Sequence, residues 1–192
     1  MGRFFAVHDA SHTPGHISLY DEGRKLLLAG DLTVEVNPPF LYSDLERCIE
    51  MCGRFKRMAE EGYVELASDS HRSVTFFAPL YEKYGMEPVD GIQLVDVARG
   101  GEECVAFFAC FEDYYHRLRR EVLASHSRIG EATVPEILEE FCSSRDPAVL
   151  LKAAMRFPDF PNRNDVLVAR VLKESGAPRR REGERVLFAP AT

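Results

Sequence analysis

Three short segments of this 192-residue chain each end a presumed strand with a side chain that can bind a metal. These side chains are His12 with His16, Asp31, and His71. In α/β sheets, ligands and catalytic groups collect where strands give way to loops. Imidazole nitrogen and carboxylate oxygen are natural donors for zinc and its first-row neighbours. The order of these segments therefore predicts an α/β fold with a metal site at the strand ends.

The segment around Asp31 is the most constrained of the three. It follows Leu26–Leu28, a continuous apolar run that is typical of a strand buried on both faces. Gly30 comes directly before Asp31, and so small a residue would let the backbone come close to a metal centre.

The composition is that of a soluble globular protein, with 45% apolar and 29% charged residues. No apolar run approaches the length of about 18 residues that a transmembrane helix requires. The N-terminal apolar stretch is too short for a signal peptide, so we expect a cytoplasmic protein.

The five cysteines are odd in number and show no C-x-x-C spacing, which argues against a disulfide framework. Cys48 and Cys52 are expected to share the buried face of a helix.

The net charge of −7 is unevenly distributed. Residues 1–111 hold 10 basic and 18 acidic side chains, whereas residues 112–192 hold 14 and 13. The acidic first part argues against a nucleic-acid substrate. Motifs for nucleotide binding or for a serine hydrolase are absent from the sequence.

The first part, residues 1–111, has the pattern of an α/β domain. Strands are predicted at residues 4–7, 17–20, 25–29 and 64–67. A helix is predicted from the N-cap Ser43, with Glu46 completing a capping box, to about Glu61, where Gly62 ends it. A further helix is expected over 74–84, and 89–98 and 103–108 fit either helix or strand.

The second part, residues 112–192, has the pattern of a small helical domain. Helices are predicted at 114–125, 133–142, 146–155 and from Asn162 or Asn164 to about 175. Residues 179–189 have the pattern of a short hairpin. Helices followed by a small hairpin resemble a winged-helix unit.

The strongest resemblance lies in residues 12–20, HTPGHISLY, followed by residues 26–32, LLLAGDL, and then by a helix and a strand that leads to His71. This order resembles the second half of the metallo-β-lactamase superfamily. The HTPGHxS form looks most like its N-acyl-homoserine-lactonase and glyoxalase-II-like branches. The resemblance implies the C-terminal half of an αββα sandwich.

The resemblance also implies roles for individual residues. His12 would bind a first metal, Asp31 would bridge two metals, and His71 would bind the second. His16 matches the second histidine of the motif, which we interpret as a support for the ligands. The implied cofactor is zinc, or alternatively iron or manganese, in one or two ions. The implied reaction is metal-assisted hydrolysis of an ester, thioester or lactone, a small-molecule substrate.

The sequence departs from the superfamily in one respect. The HxHxDH signature, which precedes HTPGH in the superfamily, is absent, and the upstream His8 and Asp9 are too few and too close to the strand to replace it. Three explanations stay open: a split protein completed by another polypeptide, a truncated product, or a free-standing protein that binds without catalysis. A half-sandwich would expose an apolar sheet face, so we expect a homo-oligomer or a complex with the polypeptide that supplies the missing half.

Overall fold

The computed structural model describes residues 3–33, 44–68, 97–146, 148–149 and 164–190. The chain divides into two compact units, Met1–Tyr115 and His116–Thr192. The sequence pattern placed the domain boundary between residues 111 and 112. Each unit is described by itself below.

The sheet of the first unit contains all four strands that the sequence predicts. Within the described residues it has five strands: β1 Phe4–His8, β2 Ile17–Asp21, β3 Leu26–Leu28, β4 Leu66–Ser68 and β5 Val97–Arg99. Their order is β1-β2-β3-β4-β5. The β3–β4 pair is parallel and the other neighbouring pairs are antiparallel.

The two faces of this sheet differ sharply. On one face Leu27 pairs with Ala67, and both side chains are fully buried. On the other face Leu19 pairs with Leu28, and these side chains remain 37% and 38% exposed. The prediction that the leucine strand is buried on both faces is therefore wrong, because Leu28 points away from the face that holds Leu27.

Helix α1, Leu45–Glu60, begins one residue later than predicted. Its N-cap is Asp44, whose carboxylate accepts the backbone N–H of Arg47 at 3.0 Å, so the prediction of Ser43 as N-cap is wrong. The predicted end at Gly62 is confirmed, since this residue has a φ of +76° just after the C-cap. Cys48 and Cys52 are both buried on α1, as expected.

Helix α2, Gly101–Ile129, starts well before the predicted residue 114. It follows β5 directly through Gly100, whose φ is +87°. Glu103 accepts the N–H of Arg99 at 2.8 Å and so joins the end of the strand to the first turn of the helix. Residues 97–99 are thus extended and 103–108 helical, whereas residues 89–96 of the other ambiguous segment lie outside the described residues. The helix expected over 74–84 lies outside the described residues.

The second unit combines helices with a hairpin: α3 Val134–Cys142, α4 Asn164–Glu174, β6 Arg179–Glu182 and β7 Arg185–Phe188. The start of α3 has the predicted capping residues, because the Thr133 N–H donates to the Glu136 carboxylate at 2.7 Å. The winged-helix arrangement stays a prediction. In the parts of the chain that the structure describes, no helix is long and apolar enough to cross a membrane.

Candidate metal site

The sheet topology brings the ends of several strands to one edge. The β1–β2 loop carries His12, and the chain leaves β3 towards Asp31. Strand β2 runs antiparallel to β3, and β4 runs parallel to β3. The C-terminal ends of β3 and β4 therefore lie at the same edge of the sheet as the start of β2. His71 follows β4 by three residues in the sequence but lies outside the described residues.

His12 and Asp31 lie side by side at this edge. The distance from His12 Nε2 to Asp31 Oδ2 is 3.6 Å, and the two side chains are 12% and 34% exposed. Nitrogen and oxygen donors about 2.0–2.2 Å from a tetrahedral zinc ion are about 3.4 Å from each other. The observed separation therefore suits two ligands of a single ion.

A short 3₁₀ turn, Gly30–Leu32, holds Asp31 in place. The hydroxyl of Tyr115, on α2, donates to the carbonyl oxygen of Leu32 at 2.5 Å. Gly30 has a φ of +58°, and a Cβ there would lie 2.6 Å from Nε2 of His16. The His16 ring therefore requires a small residue at position 30, and the expectation that Gly30 makes room for a metal centre stays a prediction.

His16 uses both of its ring nitrogens inside the protein. Its Nδ1 lies 2.5 Å from Oδ1 of Asp9, and its Nε2 accepts the backbone N–H of Asp31 at 2.9 Å. Neither nitrogen is left to bind a metal. This geometry agrees with the interpretation of His16 as a support for the ligands.

Asp9 is the residue of this network that the sequence interpretation missed. Its carboxylate is fully buried and accepts three hydrogen bonds besides the one from His16, two from Ser11 and one from Ser18, at 2.7–3.0 Å. Burial raises the pKa of Asp9, but the hydrogen bonds from His16, Ser18 and Ser11 lower it by more. The pKa therefore lies below 3.8, the ordinary value of an aspartate side chain. Asp9 comes directly after β1, so the strand-end rule that selected Asp31 would also have found it.

The N-terminus of α1 holds the loop that carries His12. The backbone N–H of Asp44 donates to the carbonyl oxygen of Ser11 at 2.8 Å. The guanidinium Nε of Arg47 donates to the carbonyl oxygen of Asp9 at 2.7 Å. The loop is therefore fixed from two sides, by α1 and by the buried carboxylate of Asp9.

The described part of the site supplies a pair of donors and not a complete ligand set. Within the described ranges, no group of three or more His, Cys, Asp or Glu side chains is placed to hold a metal ion. A structural zinc ion usually has four protein ligands and a catalytic one usually has three. His12 and Asp31 would therefore need further donors.

The fold resembles that of a known class of protein. A mixed α/β domain of this topology is half of a metallo-β-lactamase fold. The chain resembles a metallo-β-lactamase family protein from Thermus thermophilus, with a TM-score of 0.55 and 16% identity over 98% of the chain. It resembles a β-lactamase domain protein from Burkholderia ambifaria equally well, with a TM-score of 0.55 and 16% identity over 99% of the chain.

A third solved structure, a double mutant of a sec-alkyl sulfatase, has a TM-score of 0.51 and 15% identity over 91% of the chain. The chain spans 50% and 48% of the two metallo-β-lactamase-type structures and 24% of the sulfatase. No protein-family model and no curated protein matches its sequence. At these identities the likeness establishes the fold.

Proposed function

We propose that the chain is part of a metal-dependent hydrolase that acts on an ester, a thioester or a lactone. The observation that carries this proposal is the separation of 3.6 Å between His12 Nε2 and Asp31 Oδ2, at an edge of a metallo-β-lactamase-type sheet. The proposed ligands from this chain are His12, Asp31 and His71. The donor set suits zinc, with iron and manganese as alternatives, in one or two ions.

The chemistry follows from the donors. A metal bound there would lower the pKa of a coordinated water towards about 7 and would polarise the scissile carbonyl. The contribution of the chain itself is to hold its ligands in place. Tyr115 and His16 hold the turn that bears Asp31, and α1 holds the loop that bears His12.

The proposal includes a partner. The described residues supply two donors, and the similar solved structures of the metallo-β-lactamase type are about twice as long as the chain. We therefore propose that a second copy, or a polypeptide that carries the other half of the fold, completes the site around a small-molecule substrate. Residence in the cytoplasm remains a prediction from the sequence.

A hydrolysis assay tests the proposal. The protein is stripped with a chelator, reloaded with zinc, iron(II) or manganese, and given an activated ester, an acyl thioester and an acyl lactone. We expect turnover of one class that needs added metal, that Asp31→Asn abolishes and that the exposed Glu65→Gln retains. Turnover that survives chelation would contradict metal dependence.

A second candidate is a non-catalytic interaction protein, and the apolar sheet face favours it. Four large side chains on that face stay exposed: Phe4 63%, Ile17 47%, Leu19 37% and Leu28 38%. An exposed apolar patch of this kind marks an interaction surface. Metal-loaded protein without turnover of any substrate class, together with association that His12→Ala leaves unchanged, would favour this candidate over the hydrolase.

A further inference from the structure

The hydrogen bonds around His16 determine where its proton lies. A backbone N–H can only donate, so the Nε2 atom that accepts the N–H of Asp31 at 2.9 Å carries no proton. The proton of the neutral ring must then be on Nδ1, which lies 2.5 Å from the carboxylate of Asp9. A carboxylate can only accept, so this assignment satisfies all three groups.

We propose that Asp9 and His16 are positioning residues for the metal ligands. The carboxylate of Asp9 holds the His16 ring as the Nδ1–H tautomer, and Nε2 is then available to accept the N–H of Asp31. This contact fixes the turn that carries Asp31 beside His12. The inference rests on the proposed function where it treats His12 and Asp31 as metal ligands. The tautomer of His16 itself does not depend on a bound ion.

Several features fix the orientations of the Asp9 carboxylate and the His16 ring. Asp9 is fully buried, and Ser11 and Ser18 donate to the same carboxylate, so its orientation is determined from several sides. At position 30 a glycine with a φ of +58° leaves room for the His16 ring, where a Cβ would lie 2.6 Å from Nε2. Packing and hydrogen bonding therefore favour the same ring orientation.

A merely structural role of Asp9 would not fix the tautomer of His16. The test therefore measures the tautomer directly. A multiple-bond ¹H–¹⁵N spectrum of metal-free protein distinguishes a protonated ring nitrogen from an unprotonated one. For His16 in the wild type, we expect a protonated Nδ1 and an unprotonated Nε2. Leucine has a similar size and no acceptor for the Nδ1–H, so we expect Asp9→Leu to abolish this preference and to shift the backbone amide of Asp31.

Zinc titration is the second readout. Replacing a residue that orients a metal ligand typically weakens metal binding by about 10-fold to 100-fold, which is the loss expected for Asp9→Leu. The matched control is Asp21→Leu, since Asp21 is also a buried carboxylate at the end of a strand but accepts the N–H of Arg24 instead. The control should keep both the His16 spectrum and the zinc affinity of the wild type.

The outcomes separate this inference from the proposed function. A wild-type His16 protonated on Nε2, or an unchanged His16 spectrum in Asp9→Leu, would overturn the inference whether or not metal binds. The wild-type spectrum tests the tautomer even when Asp9→Leu does not fold. Wild-type protein that binds no zinc but shows the Nδ1–H tautomer would contradict the proposed function alone.

Discussion

Gly30 shows how one residue connects the backbone to the candidate site. Its φ of +58° lies in the left-handed region, and its missing side chain leaves space for the His16 ring. Gly62 shares the first property, with a φ of +76°, but no atom lies within 4 Å of the position that a Cβ would occupy there. A side chain added at Gly62 therefore has only the cost of the backbone conformation. A side chain added at Gly30 has that cost and the cost of a clash with His16.

We expect Gly30→Ala to lower the free energy of unfolding more than Gly62→Ala does. Each substitution carries the left-handed penalty of about 1–2 kcal/mol, and Gly30→Ala adds the clash with His16. Urea unfolding of the two variants measures the difference. Equal losses would mean that the contact between Gly30 and His16 is easily relieved.

Asp9 gives a pH dependence with a defined sign. Its pKa in the folded protein lies below 3.8, so its hydrogen bonds stabilise the protein above that pH. This contribution is lost as the pH falls through the lower, folded pKa. The difference in unfolding free energy between wild type and Asp9→Asn should therefore narrow below pH 3.8. Chemical unfolding across acidic pH measures it, and a constant difference would argue against the lowered pKa.

At the scale of elements, the start of α1 links a helix to the site. Asp44 caps the helix through the N–H of Arg47, and its own N–H donates to Ser11 in the loop that carries His12. A change at this cap therefore affects both the helix and the loop.

The N-cap can be assigned by substitution. Asp44→Ala should lower the free energy of unfolding by about 1 kcal/mol, whereas Asp44→Asn should retain most of the stability because asparagine caps as well as aspartate does. Thermal or urea unfolding provides the comparison, with Ser43→Ala as the control that should change little. A larger loss for Ser43→Ala than for Asp44→Ala would restore Ser43, the N-cap that the sequence predicted.

The positions of strands and helices could be predicted from the sequence better than the burial and contacts of their side chains. Apolar runs such as Leu26–Leu28 located the strands, because strand formation depends on local pattern. The exposure of Leu28 and the role of Asp9 depend on which segments pair with which, and local pattern does not contain that information. His12 and Asp31 were selected from the resemblance and from their positions at strand ends, and the structure places them 3.6 Å apart.

At the scale of the whole molecule, the apolar sheet face is the surface on which the proposed association can be tested. Leu19 lies on β2 in that face and is 37% exposed, whereas Val186, on the hairpin of the second unit, is 44% exposed. If the face mediates assembly, wild-type protein should have a mass above 21.7 kDa in solution. Leu19→Lys should reduce it to 21.7 kDa by light scattering, and the control Val186→Lys should not. A monomeric wild type would contradict assembly of this chain with itself.

The central claim is that His12 and Asp31 bind one metal ion, and calorimetric titration of zinc into metal-free protein tests it most directly. Even supporting residues of a metal site contribute about 10-fold to 100-fold in affinity, so His12→Ala and Asp31→Asn should each weaken binding by at least about 10-fold. His116→Ala is the matched control, since His116 is an exposed histidine of α2 and lies on neither of the loops that carry the proposed ligands, and it should bind zinc as the wild type does. Equal zinc affinity in all four proteins, or no binding to the wild type, would contradict the claim.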